Sequence, residues 1–153
     1  MIVMDKNLDD CKKEILSDIS RAISFRLCSI GVDLGLFEDL SINGPSSSEE
    51  IAFRKKYNER YVREWLYGIS KTGYIDFDRK TRKASINDQY SELFISEGGK
   101  NSFKGFFKVI NNMMLPYENL ISSFKNGGGI KFEEYNSEFW KGLDLTGCSR
   151  YRS

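Results

Sequence analysis

The sequence predicts a mainly α fold holding one small β-hairpin. Three observations carry this. Apolar residues recur at steps of three and four over most of the 153 residues. Helix-start signals stand at Ser47 and Asn58. One short stretch alternates as paired strands do, around a charged turn. Hydrophobic residues make up 40% and charged residues 29%, which excludes a disordered chain. No apolar run approaches the roughly 18 residues of a membrane span.

The first helical block runs from about Leu8 to Leu34. Ile15, Ile19, Ile23, Leu27, Ile30 and Leu34 form one apolar stripe along it. Gly31 lowers helix propensity, and Gly35 sits where a glycine stops a helix. Leu36, Phe37 and Leu40 make a second short face, and Asn43-Gly44-Pro45 ends it. Ser47 and Glu50 then form a capping box, and helix follows to about Lys56. Ser46 and Ser48 read as part of the same start signal rather than as phosphorylation sites. Asn58 caps the next helix, which carries Val62, Trp65, Leu66 and Ile69 and stops at Gly73. Tyr61 and Trp65, four apart, read as core rather than as a ligand cage.

Tyr74 to Asp78 alternates as a strand, Arg79 to Lys83 is a charged turn, and Ala84 to Asn87 returns. Helix, turn, helix and hairpin is the order of a winged helix-turn-helix. A helical connector follows. Phe103, Phe107, Ile110, Met114, Tyr117, Ile121 and Phe124 alternate steps of four and three, and Phe106, Met113 and Leu120 widen the stripe. Pro116 splits it into two helices and opens the second. Asn126 to Gly129 breaks the chain. Phe132, Tyr135, Phe139 and Trp140 follow without a clean period, and Cys148 to Ser153 reads as a frayed tail. The parts are 1–44, N-terminal dimerisation helices; 45–95, winged helix-turn-helix; and 96–153, connector and tail.

The chain has no histidine, which removes Ser-His-Asp and Cys-His pairs, histidine-bound zinc and imidazole bases. Cys11, Cys28 and Cys148 fit neither a Cys-x-x-Cys pair nor a disulfide framework. With no signal peptide at Met1 to Lys6, they read as free thiols in a reducing, cytoplasmic compartment, Cys11 and Cys28 as small buried hydrophobes. The net charge of +1 argues against a dedicated polyanion binder.

The turn Leu34-Gly35-Leu36-Phe37 is similar to the dimerisation domains of small-molecule methyltransferases. Ser48 to Ala52, Asn58 to Leu66, Gly73-Tyr74-Ile75, then Phe124 to Ile130 and Tyr135, resemble a subfamily of class I methyltransferases dependent on S-adenosylmethionine. The resemblance spans about Ala22 to Leu143. It implies a winged helix first, a helical connector second and a Rossmann-like catalytic domain last. Ten residues follow Leu143, and neither the family's glycine-rich cofactor loop nor its ribose-binding acid has a counterpart. Asn126 to Gly129 lacks the preceding strand such a loop needs. The expectation is therefore an N-terminal module without its catalytic domain, inactive alone, as a truncated gene, alternative transcript or frameshift would leave it. No catalytic, cofactor-binding or metal residue is assigned. S-adenosylmethionine belongs to the full-length family and not to this chain.

The expected partners are a second copy or a full-length relative, and the face from Phe103 to Phe124 is a candidate for the dimer contact or for packing against the catalytic domain, with ordinary core as the alternative. That face is wider than a core seam and is expected to be partly uncovered in a lone monomer. Phe132, Tyr135 and Phe139 are candidates for the wall of a substrate pocket, with surface aromatics of a connector as the alternative. A DNA-binding winged-helix regulator is the second reading. Ser47 to Lys83 holds ten Lys/Arg against six Asp/Glu, with a basic wing. Glu59 and Glu64 beside Arg60 and Arg63 disfavour a duplex on that helix. A free-standing protein-interaction module is the third reading.

Overall fold

The computed structural model describes residues 7–97 and 102–146. Met1 to Lys6 and the tail from Cys148 to Ser153, with the third cysteine, lie outside the described residues. The architecture is a mainly α winged helix-turn-helix with a long N-terminal helix, a two-stranded wing and a helical connector.

Helix α1 spans Leu8–Asp33. The Asn7 side chain accepts from the Asp9 and Asp10 amides, both at 3.0 Å, and the two acids suit the positive helix start. Leu34 closes α1, and Gly35 follows at φ +65°, a left-handed turn that any β-carbon would strain. Helices α2 (Leu36–Asn43), α3 (Ser48–Lys55) and α4 (Glu59–Ser70) build the helix-turn-helix. The capping box at Ser47 is present: its backbone donates to Glu50 at 2.7 Å and its hydroxyl accepts from the Glu50 amide at 3.3 Å. Strands β1 (Asp76–Asp78) and β2 (Lys83–Ser85) pair antiparallel with Phe77 opposite Ala84. Ser46 exchanges two backbone bonds with Ala84, at 2.9 and 2.8 Å, and so ties the wing to the start of α3.

Several boundaries depart from the sequence reading. Helix α4 stops at Ser70, because Thr72 replaces the next turn: its hydroxyl donates to the Ile69 carbonyl at 2.7 Å and accepts from the Tyr74 amide at 3.2 Å. Both strands are shorter than expected, and Tyr74-Ile75 is a bend that buries Ile75. Two helices escaped the sequence reading, α5 (Asp88–Ile95) and α8 (Ser137–Leu145). Each starts at an asparagine cap, Asn87 and Asn136. The connector between them holds α6 (Lys104–Met113) and α7 (Tyr117–Asn126), with Pro116 as the N-cap of α7, and a 3-10 turn at Phe132–Glu134.

The core lies where α1, α2, α4 and α5 meet. Phe37 stacks on Phe94 at 4.4 Å between ring centroids and meets the edge of Trp65 at 5.0 Å. Leu36, Leu40, Ile51, Leu66, Ile69 and Ala84 are essentially fully buried around them. The Trp65 indole donates to the Leu27 carbonyl at 2.8 Å, so its polar edge is satisfied inside. Gly31 is a space requirement: a β-carbon there would run into Trp65 and lie 2.7 Å from Phe37. Arg54 of α3 clamps Asp39 of α2 through two nitrogens at 2.5 and 3.0 Å and donates to Ser46 at 2.8 Å. Ser46 thus holds the wing and the clamp together, and Ser48 donates to Glu59 at 2.7 Å, joining α3 to α4. Both serines do tertiary work beyond capping. Two core assignments are corrected. Tyr61 is 74% exposed, because α4 turns Val62, Trp65, Leu66 and Ile69 inward. Cys11 is half-buried, on a stretch of α1 that little packs against, while Cys28 is buried.

Candidate functional site

The α1 stripe faces outward. At about 100° per residue, Ile15, Ile19, Ile23, Ile30 and Leu34 fall within an arc of about 120°. All five are exposed, from 39% at Leu34 to 62% at Ile15, and Leu27 is half-buried at the edge of the arc. The inward face of the helix is built instead from Phe25, Cys28, Ser29, Gly31 and Val32. Small residues there let α2 and α4 approach closely. Large aliphatic residues on the outside, repeated over four turns or more, form a surface that water penalises.

The connector adds a second apolar surface. Phe103, Met114, Tyr117 and Phe124 are exposed, as are Phe106, Met113 and Leu120. Phe107, Ile110 and Ile121 are half-buried. Phe107 anchors the connector, packing on Phe25 of α1 at 5.3 Å and on Phe94 of α5 at 5.7 Å. Helix α7 has no buried residue. It is held by Asn119 donating to Glu134, and by Ser123 donating to the Gly129 carbonyl at 3.0 Å.

The candidate pocket-wall residues come together. Tyr135 stacks on Phe139 at 4.5 Å, Phe139 meets the edge of Trp140 at 5.2 Å, and Phe132 lies 6.0 Å from Trp140. Phe139 is buried, Tyr135 half-buried and Phe132 exposed. They form one aromatic cluster on α8 and the turn before it, with Phe132 at its wet end.

Helix α8 docks on α6 through two glycines. A β-carbon on Gly105 would lie 2.7 Å from the Gly142 carbonyl, and one on Gly142 would lie 2.9 Å from the Val109 amide. A three-helix charge cluster sits beside this crossing. Lys108 of α6 donates to Glu138 of α8 at 2.7 Å and to Asp33 of α1 at 3.3 Å, and Lys141 donates to Glu138 at 2.6 Å. The bonds from Lys108 and Lys141 hold the Glu138 carboxyl down to about 2. Burial pulls Lys108 down, but the Glu138 bond and the Asp33 charge outweigh it, and Lys108 stays protonated above its ordinary range. Sequence spacing could not reveal this cluster, because its members lie 75 and 30 residues apart.

A cleft of about 490 Å³ opens between α1, the α4–β1 turn and the start of α6. Phe25, Phe103, Phe106, Phe107 and Tyr74 give it apolar walls, with Arg21 and Lys71 also lining it. Burial pushes the Cys28 thiol in this cleft up to about 12. It is a protonated filler and not a nucleophile. Burial also raises Tyr74, helped by the neighbouring Cys28 and Tyr90. Among the described residues no group of three His, Cys, Asp or Glu could hold a metal ion, and no helix is long and apolar enough to cross a membrane.

The outer face of α4, where a helix-turn-helix would read bases, shows Arg60, Tyr61, Glu64 and Tyr67 exposed. Arg63 pairs with Glu59 at 3.3 Å. Charges of both signs on this face oppose docking against a phosphate backbone.

Residues 22–95 match the model of the Rv2258c-like winged HTH domain. No curated protein sequence matches the chain. Among solved structures, the chain is similar to N,N-8-amino-8-demethyl-D-riboflavin dimethyltransferase (RosA) from Streptomyces davawensis, with TM-score 0.69 and 12% identity over 94% of this chain and 44% of that one. It is similar to the mitomycin 7-O-methyltransferase MmcR, with TM-score 0.61 and 16% identity over 90% of this chain and 37% of that one. It is also similar to the S-adenosylmethionine-dependent methyltransferase SibL, with TM-score 0.62 and 16% identity over 86% of this chain and 43% of that one. At these identities the likeness is one of fold, and the chain spans about two fifths of the length of these proteins.

Proposed function

We propose, on the premise that residues 22–95 are an Rv2258c-like winged helix-turn-helix domain, that this chain is the association and substrate-enclosing module of an S-adenosylmethionine-dependent methyltransferase. The full-length family uses S-adenosylmethionine. These 153 residues do not hold the methyl donor by themselves and transfer no methyl group alone. Their partner is a second copy or a full-length relative, met in the cytoplasm.

The observation that carries this reading is the outward α1 stripe, Ile15 to Leu34, with the exposed connector face from Phe103 to Phe124 beyond it. Two such surfaces on one small unit exceed what a soluble monomer ordinarily shows. The α1 stripe suits a twofold interface, because one helix face meets its own copy. The connector face suits a covering domain, and the cluster of Phe132, Tyr135 and Phe139 suits the rim of a pocket completed by that domain. Nucleic acid is not the proposed partner, given the mixed charges on α4.

Light scattering on the eluting chain at tens of micromolar tests the association, with the mass of a dimer expected. A clean monomer refutes it. Calorimetry with S-adenosylmethionine tests the other half: no heat of binding is expected, and a saturable isotherm overturns the reading.

A further inference from the structure

Lys71 ends α4, and Arg79 and Arg82 belong to the wing turn. The three cations converge on one cleft of about 370 Å³, lined besides by Tyr67, Ser70 and Phe77. Among the described residues no carboxylate lines it. None of the three cations forms an ion pair among the described residues, whereas Lys83, next along the wing, is paired to Glu50 at 2.9 Å. The nearest acid in sequence, Asp78, is engaged within the wing turn. Asp78 accepts from the Lys80 amide at 2.8 Å and the Thr81 hydroxyl at 2.9 Å, holding the wing turn in shape. Strand alternation sets Asp76 and Asp78 on the opposite face of β1 from Phe77. Glu49 accepts from the Ser48 hydroxyl at 3.2 Å, and its charge reaches Arg82 without an ion pair between them.

Three cations with no ion pair among the described residues repel each other around one concavity, and an anion entering it relieves that repulsion. Two guanidinium forks and an ammonium match the oxygens of a phosphate monoester, which carries about two negative charges near neutrality. One wall is aromatic: Tyr67 and Phe77 meet edge to face at 5.2 Å between centroids, and both retain exposed surface. We propose that the cleft between α4 and the wing binds a small phosphate monoester whose remaining part is a flat ring. The cations take the phosphate and the Tyr67–Phe77 wall takes the ring. Duplex DNA is the less suitable source of phosphate, since Glu64 is exposed on the adjoining face of α4.

Arg82 supplies a clean test. Its backbone is left-handed at φ +56°, a conformation glycine adopts without strain. Arg82→Gly removes the guanidinium and leaves the thermal midpoint equal or higher. Amide NMR on the whole chain, titrated with inorganic phosphate and then with adenosine 5′-monophosphate, gives the readout. Shifts are expected at 70–72 and 79–83, with the nucleotide binding more tightly than phosphate. Arg82→Gly and Arg79→Gln should each weaken nucleotide binding about tenfold. The proposal is overturned by absent shifts, by variants that bind as the parent does, or by nucleotide binding no tighter than phosphate. It is equally overturned if a random-sequence duplex displaces the nucleotide at equal phosphate concentration, which assigns the cations to a nucleic-acid backbone.

Discussion

Replacing Ile23 by aspartate places a charge in the middle of the α1 stripe. Ile23 is 57% exposed, so the substitution removes little from the core of the subunit. Covering the remaining surface of such a side chain removes on the order of 100 Å² of apolar area, about 2.5 kcal/mol at about 25 cal/mol per Å². A twofold interface feels the change twice, about 5 kcal/mol in all before losses. Imperfect packing and ordering costs return part of this, and realising half leaves about 2.5 kcal/mol, a dissociation constant about sixtyfold weaker. Within the subunit the penalty is the lower helix propensity of aspartate, about 0.5 kcal/mol. Sedimentation equilibrium over a concentration series should move from dimer to monomer, with far-UV circular dichroism unchanged. An Ile23→Asp chain that stays folded and dimeric with the parent's dissociation constant refutes the assignment of this stripe.

Gly105→Ala pushes a β-carbon against the Gly142 carbonyl and should cost about 2 kcal/mol, read in urea unfolding, with amide exchange in α8 rising first. Arg54→Ala strands Asp39, whose side chain is only 5% exposed, and should cost about 3 kcal/mol in the same assay. The depressed Glu138 contributes stability above its unfolded value of 4.5 that is lost as pH falls toward about 2, so the docking of α8 should weaken over that acid window and not near neutrality. In Lys108→Met the Glu138 carboxyl should titrate closer to 4.5, followed by side-chain carboxyl NMR. Thiol labelling near pH 8, mapped by peptide mass, should modify Cys11 before Cys28, whose buried thiol stays protonated until the core opens.

Much of the helix-turn-helix was legible in the sequence because its signals are local. The Ser47–Glu50 capping box, the Asn58 cap and the 3-4 spacing on α4 all act within one or two turns. Helices α5 and α8 were missed because eight- and nine-residue elements carry too few apolar positions to show a period. Their asparagine caps were the available signal. The candidate pocket residues were legible as a run of aromatics, but not as one stack on α8.

Residue order by itself set where the helices at Ser47, Asn58 and Pro116 start, which faces are apolar and which chemistries are unavailable to a chain without histidine. It did not set which apolar face turns inward. On α1 the answer was the side with Cys28, Ser29 and Gly31, because the bulk of Trp65 and Phe37 needs a partner with little side chain of its own. Steric fit between distant segments made that choice, as it made the Lys108 cluster and the cationic cleft, and one-dimensional periodicity carries no record of it.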